Sequence, residues 1–236
     1  TIMKNKHTDE FELFIKDLEK RYHIKTVLVE EYAEIPLLLD KLKERMLDHN
    51  VFISGSFEYL SNEEDAFAYS LCKSLGEKLI DSNYNIVTGF GRNVGYYISG
   101  VVTQKLINSN IGNIEERLIM RPFAHIMTAE EDTQFRKLLI SNANSTIYMF
   151  GQCLKNKKQE NSRGTIEEYE LARNMNKIII PIGVTGYASR EIFNDVKRNI
   201  ICYPYLEQYI DVLENEKDVN ILSSCIVSIL NRTIKS

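Results

Sequence analysis

The stretch VFISGSFEYLSNEEDAFAYSLCKSL, residues 51–75, decides the fold of this chain. It opens with an apolar run at residues 51–53, followed by Ser54-Gly55-Ser56, which is typical of a short buried strand that ends in a tight turn. Ser61 and Glu64 then have the spacing of a capping box, which marks the start of a helix. Apolar residues recur after them at helical spacing, so the stretch predicts a strand, a turn and a helix.

The same alternation repeats toward the carboxyl terminus. Apolar strand patterns occupy residues 84–88, 118–120, 146–150 and 177–182, with helical patterns between them. Thr128 and Glu131 repeat the capping-box spacing and predict the start of another helix. Strands that alternate with helices of this length form a parallel sheet that is covered on both faces. The sequence therefore predicts an α/β fold, a Rossmann-like doubly wound parallel sheet over residues 50–236. Right-handed crossovers place the carboxyl ends of all its strands on one edge, and ligands bind there near the switch in strand order.

Residues 1–49 have a different organisation. They predict a helix over 11–22, a short strand over 24–29 and a second helix over 35–47, which together are too small to bury a core. We expect this piece to be the tail of a preceding α/β domain that ends in a linker near residues 48–50. The chain begins Thr1-Ile2-Met3, without a natural start, which indicates a fragment of a longer protein.

Composition narrows the class of protein. The chain has 236 residues, 44% of them hydrophobic, and a formal net charge of -4. An acidic balance argues against a nucleic-acid partner bound through a broad basic face. No apolar run reaches the length of a membrane span, so no membrane partner is expected. The four cysteines form no C-x-x-C pair, which predicts no metal site and a reducing, cytoplasmic location.

Glycines follow four of the five predicted strands, at Gly55, Gly89 with Gly91, Gly151 and Gly183. A turn without a Cβ lets backbone N–H groups approach a ligand, and the following helix terminus favours a phosphate. The alternative is that these turns need glycine only for their sharp geometry. The run from Gly89 to Gly95 has one residue too many for the dinucleotide fingerprint, so it is weak support for NAD binding.

Charged residues cluster in the same predicted loops. Arg92, Arg121, Arg136 and Arg163 lie in or just after them, and guanidinium groups suit a pyrophosphate, although surface arginines are common. Residues 164–168, GTIEE, open a helix that Thr165 can cap. Alternatively, one of its acids accepts hydrogen bonds from ribose hydroxyls. Ser54 and Ser56 have no evident base, and no catalytic constellation is apparent.

The order of these motifs resembles the SLOG superfamily, which unites DprA-like DNA-binding proteins and LOG phosphoribohydrolases. The motifs are SGS at 54–56, GFG at 89–91, YMFG at 148–151, GTIEE at 164–168 and KIIIPIGVTG at 177–186. The last run resembles the SLOG domains of the Thoeris anti-phage defence system, which follow a sirtuin-like NAD-cleaving domain. Residues 22–32 resemble the end of such a sirtuin-like domain.

The resemblance implies a regulatory function for this fragment, with no catalytic residues and no cofactor of its own. Such domains sense a cyclic ADP-ribose isomer made by a partner TIR-domain enzyme, and the attached sirtuin-like domain then consumes NAD as its substrate. It implies phosphate contacts from Arg136, a ribose contact from Glu168 or Glu167, and a lysine contact from Lys155. It also implies a homodimer of the domain and a tetramer of the full protein.

The predicted ligand site combines the turns with the residues implied by the resemblance. Its members are Ser54, Gly55, Ser56, Gly89, Phe90, Gly91, Arg92, Arg121, Arg136, Gly151, Lys155, Gly164, Thr165 and Glu168.

The chain departs from the LOG enzymes in one respect. Those enzymes carry Pro-Gly-Gly-x-Gly-Thr-x-x-Glu as one run, whereas here a polar insert, residues 152–163, separates Gly151 from Gly164 and the proline is absent. The departure favours a pocket that binds without cleaving. The alternative function is a LOG-like nucleoside 5'-monophosphate phosphoribohydrolase, in which Arg121 and Glu168 flank the glycosidic bond.

Overall fold

The computed structural model describes residues 2–3, 9–22, 24, 26–123 and 126–235. The chain divides into two compact units between Met46 and Leu47. Among the described residues, no helix is long and apolar enough to cross a membrane. The same residues contain no group of three or more His, Cys, Asp or Glu side chains arranged to hold a metal ion.

The first unit consists of short elements. Strand β1 (Ile2–Met3) pairs in parallel with β2 (Leu28–Val29), and the helices are α1 (Asp9–Tyr22) and α2 (Glu34–Leu47). Both predicted helices are confirmed. The strand predicted over 24–29 is observed only at its last two residues, and His23 and Lys25 of the sirtuin-like segment lie outside the described residues.

The second unit is built on a five-stranded parallel sheet whose order is β5-β4-β3-β6-β9. The predicted Rossmann-like fold is confirmed. The strands of the unit are β3 (Asn50–Ser56), β4 (Asn85–Thr88), β5 (Leu118–Met120), β6 (Ser145–Phe150), β7 (Gln152–Lys155), β8 (Lys158–Asn161) and β9 (Ile178–Pro181). The helices are α3 (Asn62–Asp81), α4 (Val94–Asn108), α5 (Ile114–Arg117), α6 (Ala129–Ser141), α7 (Arg163–Asn174), α8 (Tyr187–Arg198), α9 (Ile210–Asn215) and α10 (Val219–Lys235).

Strands β3 and β6 form the centre of the sheet, paired in register from Val51 opposite Ser145 to Ser56 opposite Phe150. From β3 the chain proceeds outward to β4 and β5, and it then crosses back to β6 on the other side of β3. The switch in strand order therefore lies between the carboxyl ends of β3 and β6, where a doubly wound sheet binds its ligand.

Helix caps fix where the flanking helices begin. Both predicted capping boxes are present, at Ser61 with Glu64 and at Thr128 with Glu131. The prediction that Thr165 caps a helix is wrong. Helix α7 begins two residues earlier, and the Ser162 side chain is its cap, accepting a hydrogen bond from the Thr165 N–H at 3.4 Å.

The polar insert after β6 folds as an antiparallel hairpin of β7 and β8, which the sequence did not predict. Its turn residues, Asn156 and Lys157, both have positive φ, as a two-residue hairpin turn requires. The ends of the hairpin meet where the Ser162 N–H donates to the Gly151 carbonyl at 2.7 Å. The insert therefore leaves the sheet and returns to the same place, next to the switch point.

Candidate functional site

A cleft of about 760 Å³ opens at the carboxyl edge of the sheet, over the switch between β3 and β6. Eleven of the fourteen predicted site residues line it: Ser54, Gly55, Ser56, Gly89, Phe90, Gly91, Arg92, Arg136, Gly164, Thr165 and Glu168. Residues that the sequence did not single out also line it: Phe52, Ile53, Glu58, Pro122, Phe123, Asp132, Gln152, Cys153 and Ser162. The fold thus brings residues more than 100 positions apart to one surface.

The other three predicted residues are not in the lining of the cleft. Gly151 is buried at φ +81°, and a Cβ there would lie 2.6 Å from Cβ of Ala188, so glycine is needed for packing. Arg121 is exposed beyond β5, and Lys155 is exposed at the end of β7, beside the hairpin turn. Their predicted ligand contacts stay predictions.

The glycines of the turns are required by protein backbone that packs against them. A Cβ on Gly55 would lie 2.2 Å from the Met149 carbonyl oxygen, and one on Gly91 would lie 2.4 Å from the Gly55 carbonyl oxygen. Both distances are far below van der Waals contact. The turns after β3 and β4 are therefore held directly against each other, which explains these two glycines whether or not an anion binds there.

Hydrogen bonds fix the loop after β3 from two sides. The Phe57 N–H donates to the Arg92 carbonyl at 3.1 Å, and Asn93 Nδ2 donates to the Phe57 carbonyl at 2.7 Å. On the other side, the buried Gln152 side chain accepts from the N–H groups of Glu58 (2.9 Å) and Tyr59 (3.3 Å). The backbone around the cleft is thus set by contacts within the protein.

Two phenylalanines at this edge have a backbone conformation that bulky residues avoid. Phe90, just after β4, and Phe150, the last residue of β6, both have φ 56°. The left-handed region costs a bulky residue about 1–3 kcal/mol, and such residues cluster at functional sites. Their positions beside the switch point support the assignment of this edge as the site.

The turn end of the cleft, comprising residues 55–58 and 89–92, carries an exposed ion pair. Arg92 Nη1 bonds Glu58 Oε1 across the gap between the two turns. The Arg92 side chain is 72% exposed, whereas that of Glu58 is 24% exposed. An exposed guanidinium with one partner retains donors that face solvent.

The acidic end of the cleft is organised around Arg136 of α6. Its guanidinium lies 3.2 Å from a carboxylate oxygen of Glu167, 3.7 Å from one of Glu168 and 3.9 Å from one of Asp132. It also lies over the Phe123 ring, 5.0 Å from the centroid. Because the Arg136 side chain is only 14% exposed, it is a largely buried cation surrounded by acids.

Glu168 is the buried carboxyl group at this end. Burial raises its pKa to about 7, against a hydrogen bond from Ser54 and the positive charge of Arg136, which both lower it. Ser54 Oγ donates to Glu168 Oε2 at 2.5 Å. The expectation that Ser54 has no base nearby is therefore wrong, because β3 and α7 bring a carboxyl group to it from 114 residues away.

The two ends offer complementary chemistry to a ligand. The turn end presents an exposed guanidinium, which suits a phosphate or pyrophosphate. The acidic end presents a carboxyl group that is buried and oriented by Ser54, which suits hydroxyl or amino donors. Such a cleft matches a molecule that carries both groups, as a nucleotide does.

Sequence reasoning missed Glu58 and Gln152 in the cleft. Gln152 directly follows the Phe150-Gly151 pair, but nothing local shows that its side chain is buried against a loop 93 or 94 residues away. Glu58 stands between a strand and a capping box, where an acid is ordinary. Their roles depend on the pairing of β3 with β6 and the contact between the turns.

Comparison with known proteins identifies the family. The model of the Sir2- and TIR-associating SLOG family, STALD, matches residues 34–233. The chain belongs to the STALD family. The resemblance to SLOG domains that the order of motifs indicated is confirmed. The STALD match includes every residue that lines the cleft, and it begins at Glu34, the first residue of α2.

Two curated relatives of this STALD chain are longer than the chain itself. The NAD(+) hydrolase ThsA of Bacillus cereus (strain MSX-D12) is 31% identical over 195 residues, which are 81% of this chain and 40% of that protein. The NAD(+) hydrolase ThsA of Enterococcus faecium is 31% identical over 226 residues, 93% of this chain and 47% of that protein. The chain is thus ThsA-like and spans less than half the length of these relatives.

Proposed function

We propose that this chain is the ligand-sensing part of an anti-phage NAD hydrolase of the Thoeris system and that it binds a cyclic ADP-ribose isomer in the cleft. One observation carries the proposal. The cleft over the switch point of this STALD domain has an exposed arginine, Arg92, at one end and a buried carboxyl group, Glu168, at the other. A cyclised ADP-ribose contains both a pyrophosphate and ribose hydroxyls.

The phosphates are assigned to the turn end. Arg92, Ser56 and Gly91 line the cleft there, and the Arg92 guanidinium is exposed enough to meet a pyrophosphate. A ribose is assigned to Glu168, whose carboxyl group accepts or shares hydrogen bonds with hydroxyls. Lys155, from the hairpin, is a predicted third contact.

Arg136 has a different role in this proposal from the phosphate contact first predicted. The carboxylates of Asp132, Glu167 and Glu168 lie within 3.9 Å of its guanidinium. We propose that it orients Glu168 and compensates the acids, and that any phosphate contact it makes is shared with them.

The wider function follows from the relatives and is also part of the proposal. Both carry the name NAD(+) hydrolase ThsA. We propose that the parent of this chain hydrolyses NAD through a preceding sirtuin-like domain after a TIR-domain enzyme has supplied the ligand. A homodimer of this domain within a tetramer of the full protein is the assembly we expect.

Titration calorimetry of the 236-residue chain with cyclic ADP-ribose isomers tests the proposal. The wild type should bind an isomer, and Arg92→Met should weaken that binding by about tenfold or more, because a charge-assisted phosphate contact is lost. Arg198→Met is the matched control, since Arg198 is 75% exposed and also pairs with one acid, but it lies on α8 outside the cleft. Absence of binding in the wild type, or equal losses in the two variants, would reject the assignment.

The alternative function is a phosphoribohydrolase of the LOG type. The observation that favours it is Glu168, a buried carboxyl group whose pKa is raised to about 7 and which can hold or release a proton near neutral pH. Incubation of the pure chain with AMP, followed by chromatographic detection of free adenine, distinguishes the two. Release of adenine by the wild type and not by Glu168→Gln would favour the enzyme over the sensor.

A further inference from the structure

The ion pair at the turn end places a carboxylate on the cation assigned to the ligand. Glu58 belongs to the loop after β3 and Arg92 to the loop after β4, 34 residues apart, and both side chains line the cleft. The described residues give the exposed Arg92 guanidinium no other ion-pair partner. Any phosphate that uses the face of Arg92 now on Glu58 must displace that carboxylate.

The backbone at both residues is held independently of this pair. The Glu58 N–H donates to Gln152 Oε1, and the neighbouring Phe57 N–H donates to the Arg92 carbonyl. Asn93 Nδ2 adds a third link, to the Phe57 carbonyl. Breaking the ion pair therefore requires only that two side chains change rotamer, while the loops stay in place.

We infer that Glu58 is a specificity-determining residue, which competes with the anionic group of a ligand for Arg92 and so sets the concentration at which the domain responds. The inference rests on the proposed function, because that assigns a pyrophosphate to Arg92. A ligand without an anionic group cannot replace the carboxylate on Arg92. A pyrophosphate can, because the pair is exposed and exposed ion pairs are weak.

The competition predicts in which direction a substitution at Glu58 changes the affinity for the ligand. Removing the Glu58 charge should improve binding, whereas loss of an ordinary ligand contact weakens it. Glu58→Gln keeps the size of the side chain and leaves Arg92 at most a neutral hydrogen bond in place of the ion pair. It also removes a negative charge that repels the phosphates. The gain should fall as ionic strength rises, because salt screens exposed charges.

Calorimetry of the 236-residue chain at low salt, with a cyclic ADP-ribose isomer and separately with inorganic pyrophosphate, tests the inference. Glu58→Gln should tighten binding of both probes by roughly two- to fivefold. Glu63→Gln is the matched control, since Glu63 is an exposed acid five residues away that does not line the cleft, and it should leave both affinities unchanged. In an Arg92→Met background, Glu58→Gln should give at most the smaller gain from reduced repulsion.

Each outcome decides between the two proposals. Unchanged or weaker binding by Glu58→Gln, with a wild type that binds the cyclic isomer, overturns the role of Glu58 and leaves the proposed function intact. A gain for pyrophosphate in a chain that does not bind the cyclic isomer supports the competition and rejects the proposed ligand. An equal gain with and without Arg92, or no binding of either probe by any variant, overturns the inference.

Discussion

The two ends of the cleft each hold an arginine, but the arginines have opposite surroundings. Arg92 is 72% exposed and pairs with one acid, whereas Arg136 is 14% exposed and lies within 3.9 Å of three described carboxylates. Both line the cleft and both were predicted to bind phosphate, Arg92 from its position in a predicted edge loop and Arg136 also from the resemblance to SLOG domains. The difference shows that position on the edge identifies residues that could bind a ligand. The neighbouring charges then decide which of the two arginines is available to an anion.

The acidic end also differs from the turn end in its charge balance. If all four groups were ionised, Arg136 would face Asp132, Glu167 and Glu168 with one positive charge against three negative ones. Burial opposes the ionisation of Glu168 and raises its pKa to about 7. A proton is thus part of the charge balance at this end, whereas the turn end is balanced by a simple pair.

The largest expected effect concerns the backbone beneath the turn end. Gly55→Ala should lower the free energy of unfolding by about 4 kcal/mol, because the added Cβ meets the Met149 carbonyl oxygen and β3 must shift away from β6. Urea unfolding followed by circular dichroism measures it. Gly100→Ala is the control. Apart from its chain neighbours and the nearby backbone of α4, no atom of the described residues lies within 4 Å of its Cβ position, and alanine there should stabilise by up to about 1 kcal/mol. Similar small effects at both positions would contradict the close packing of the turns.

The next largest effect is the pH dependence that Glu168 gives to the free energy of unfolding. The pKa of Glu168 in the folded chain is about 7, above its ordinary 4.5, so the folded state binds the extra proton between these values. The stability that this group contributes is therefore fully present below about pH 4.5 and is lost as pH rises through 7. Relative to Glu168→Gln, the wild type should lose about 3 kcal/mol over that window.

Urea unfolding at a series of pH values gives this difference. Glu170→Gln is the control, because Glu170 is an exposed acid on the same helix, and its profile should run parallel to that of the wild type. A Glu168→Gln profile that also runs parallel to the wild type would mean that Glu168 titrates normally.

A smaller effect tests whether Arg136 is a structural cation. Arg136→Met should destabilise the chain by about 2 kcal/mol near pH 8, since it leaves Glu167 and Glu168 without their compensating charge. The loss should shrink at pH 5, where Glu168 is protonated. Urea unfolding at the two pH values checks both statements, and a loss independent of pH would assign the effect to packing on Phe123 instead.

The smallest expected effect is on the stability of the turn end. Arg92→Met should change the free energy of unfolding by less than about 0.5 kcal/mol, because an exposed ion pair contributes little. The same substitution thus distinguishes the two arginines. It lowers stability at Arg136, whereas at Arg92 it weakens ligand binding. Thermal unfolding of both variants in one buffer measures the two losses of stability. Equal losses would contradict the proposed difference between the two ends.

Local patterns were enough to predict most of the fold. The five strands of the sheet and both capping boxes were recognised, because strand and helix periodicity and caps are encoded within about 20 residues. Eleven predicted residues line the cleft for a related reason. In a parallel sheet, every residue that follows a strand reaches the same edge.

Local patterns could not predict which side chains these residues contact. The contacts of Arg136 with Glu167 and of Ser54 with Glu168 join residues 31 and 114 positions apart, and they depend on how α6, α7 and β3 meet. The hairpin of β7 and β8 was missed because its residues are largely exposed and polar and show no alternation of apolar side chains. Its two-residue turn uses Asn156 and Lys157 without a glycine, which is a weak signal.

The hairpin also makes this domain suitable for conversion into an optical reporter. Its ends are joined by the hydrogen bond from the Ser162 N–H to the Gly151 carbonyl, so the chain can be lengthened at the exposed turn while the two ends stay together. Each doubling of a flexible insertion costs only about 0.6 kcal/mol of closure entropy. A circularly permuted fluorescent protein placed between Asn156 and Lys157 would therefore be joined to the cleft through β7, whose residues Gln152 and Cys153 line it.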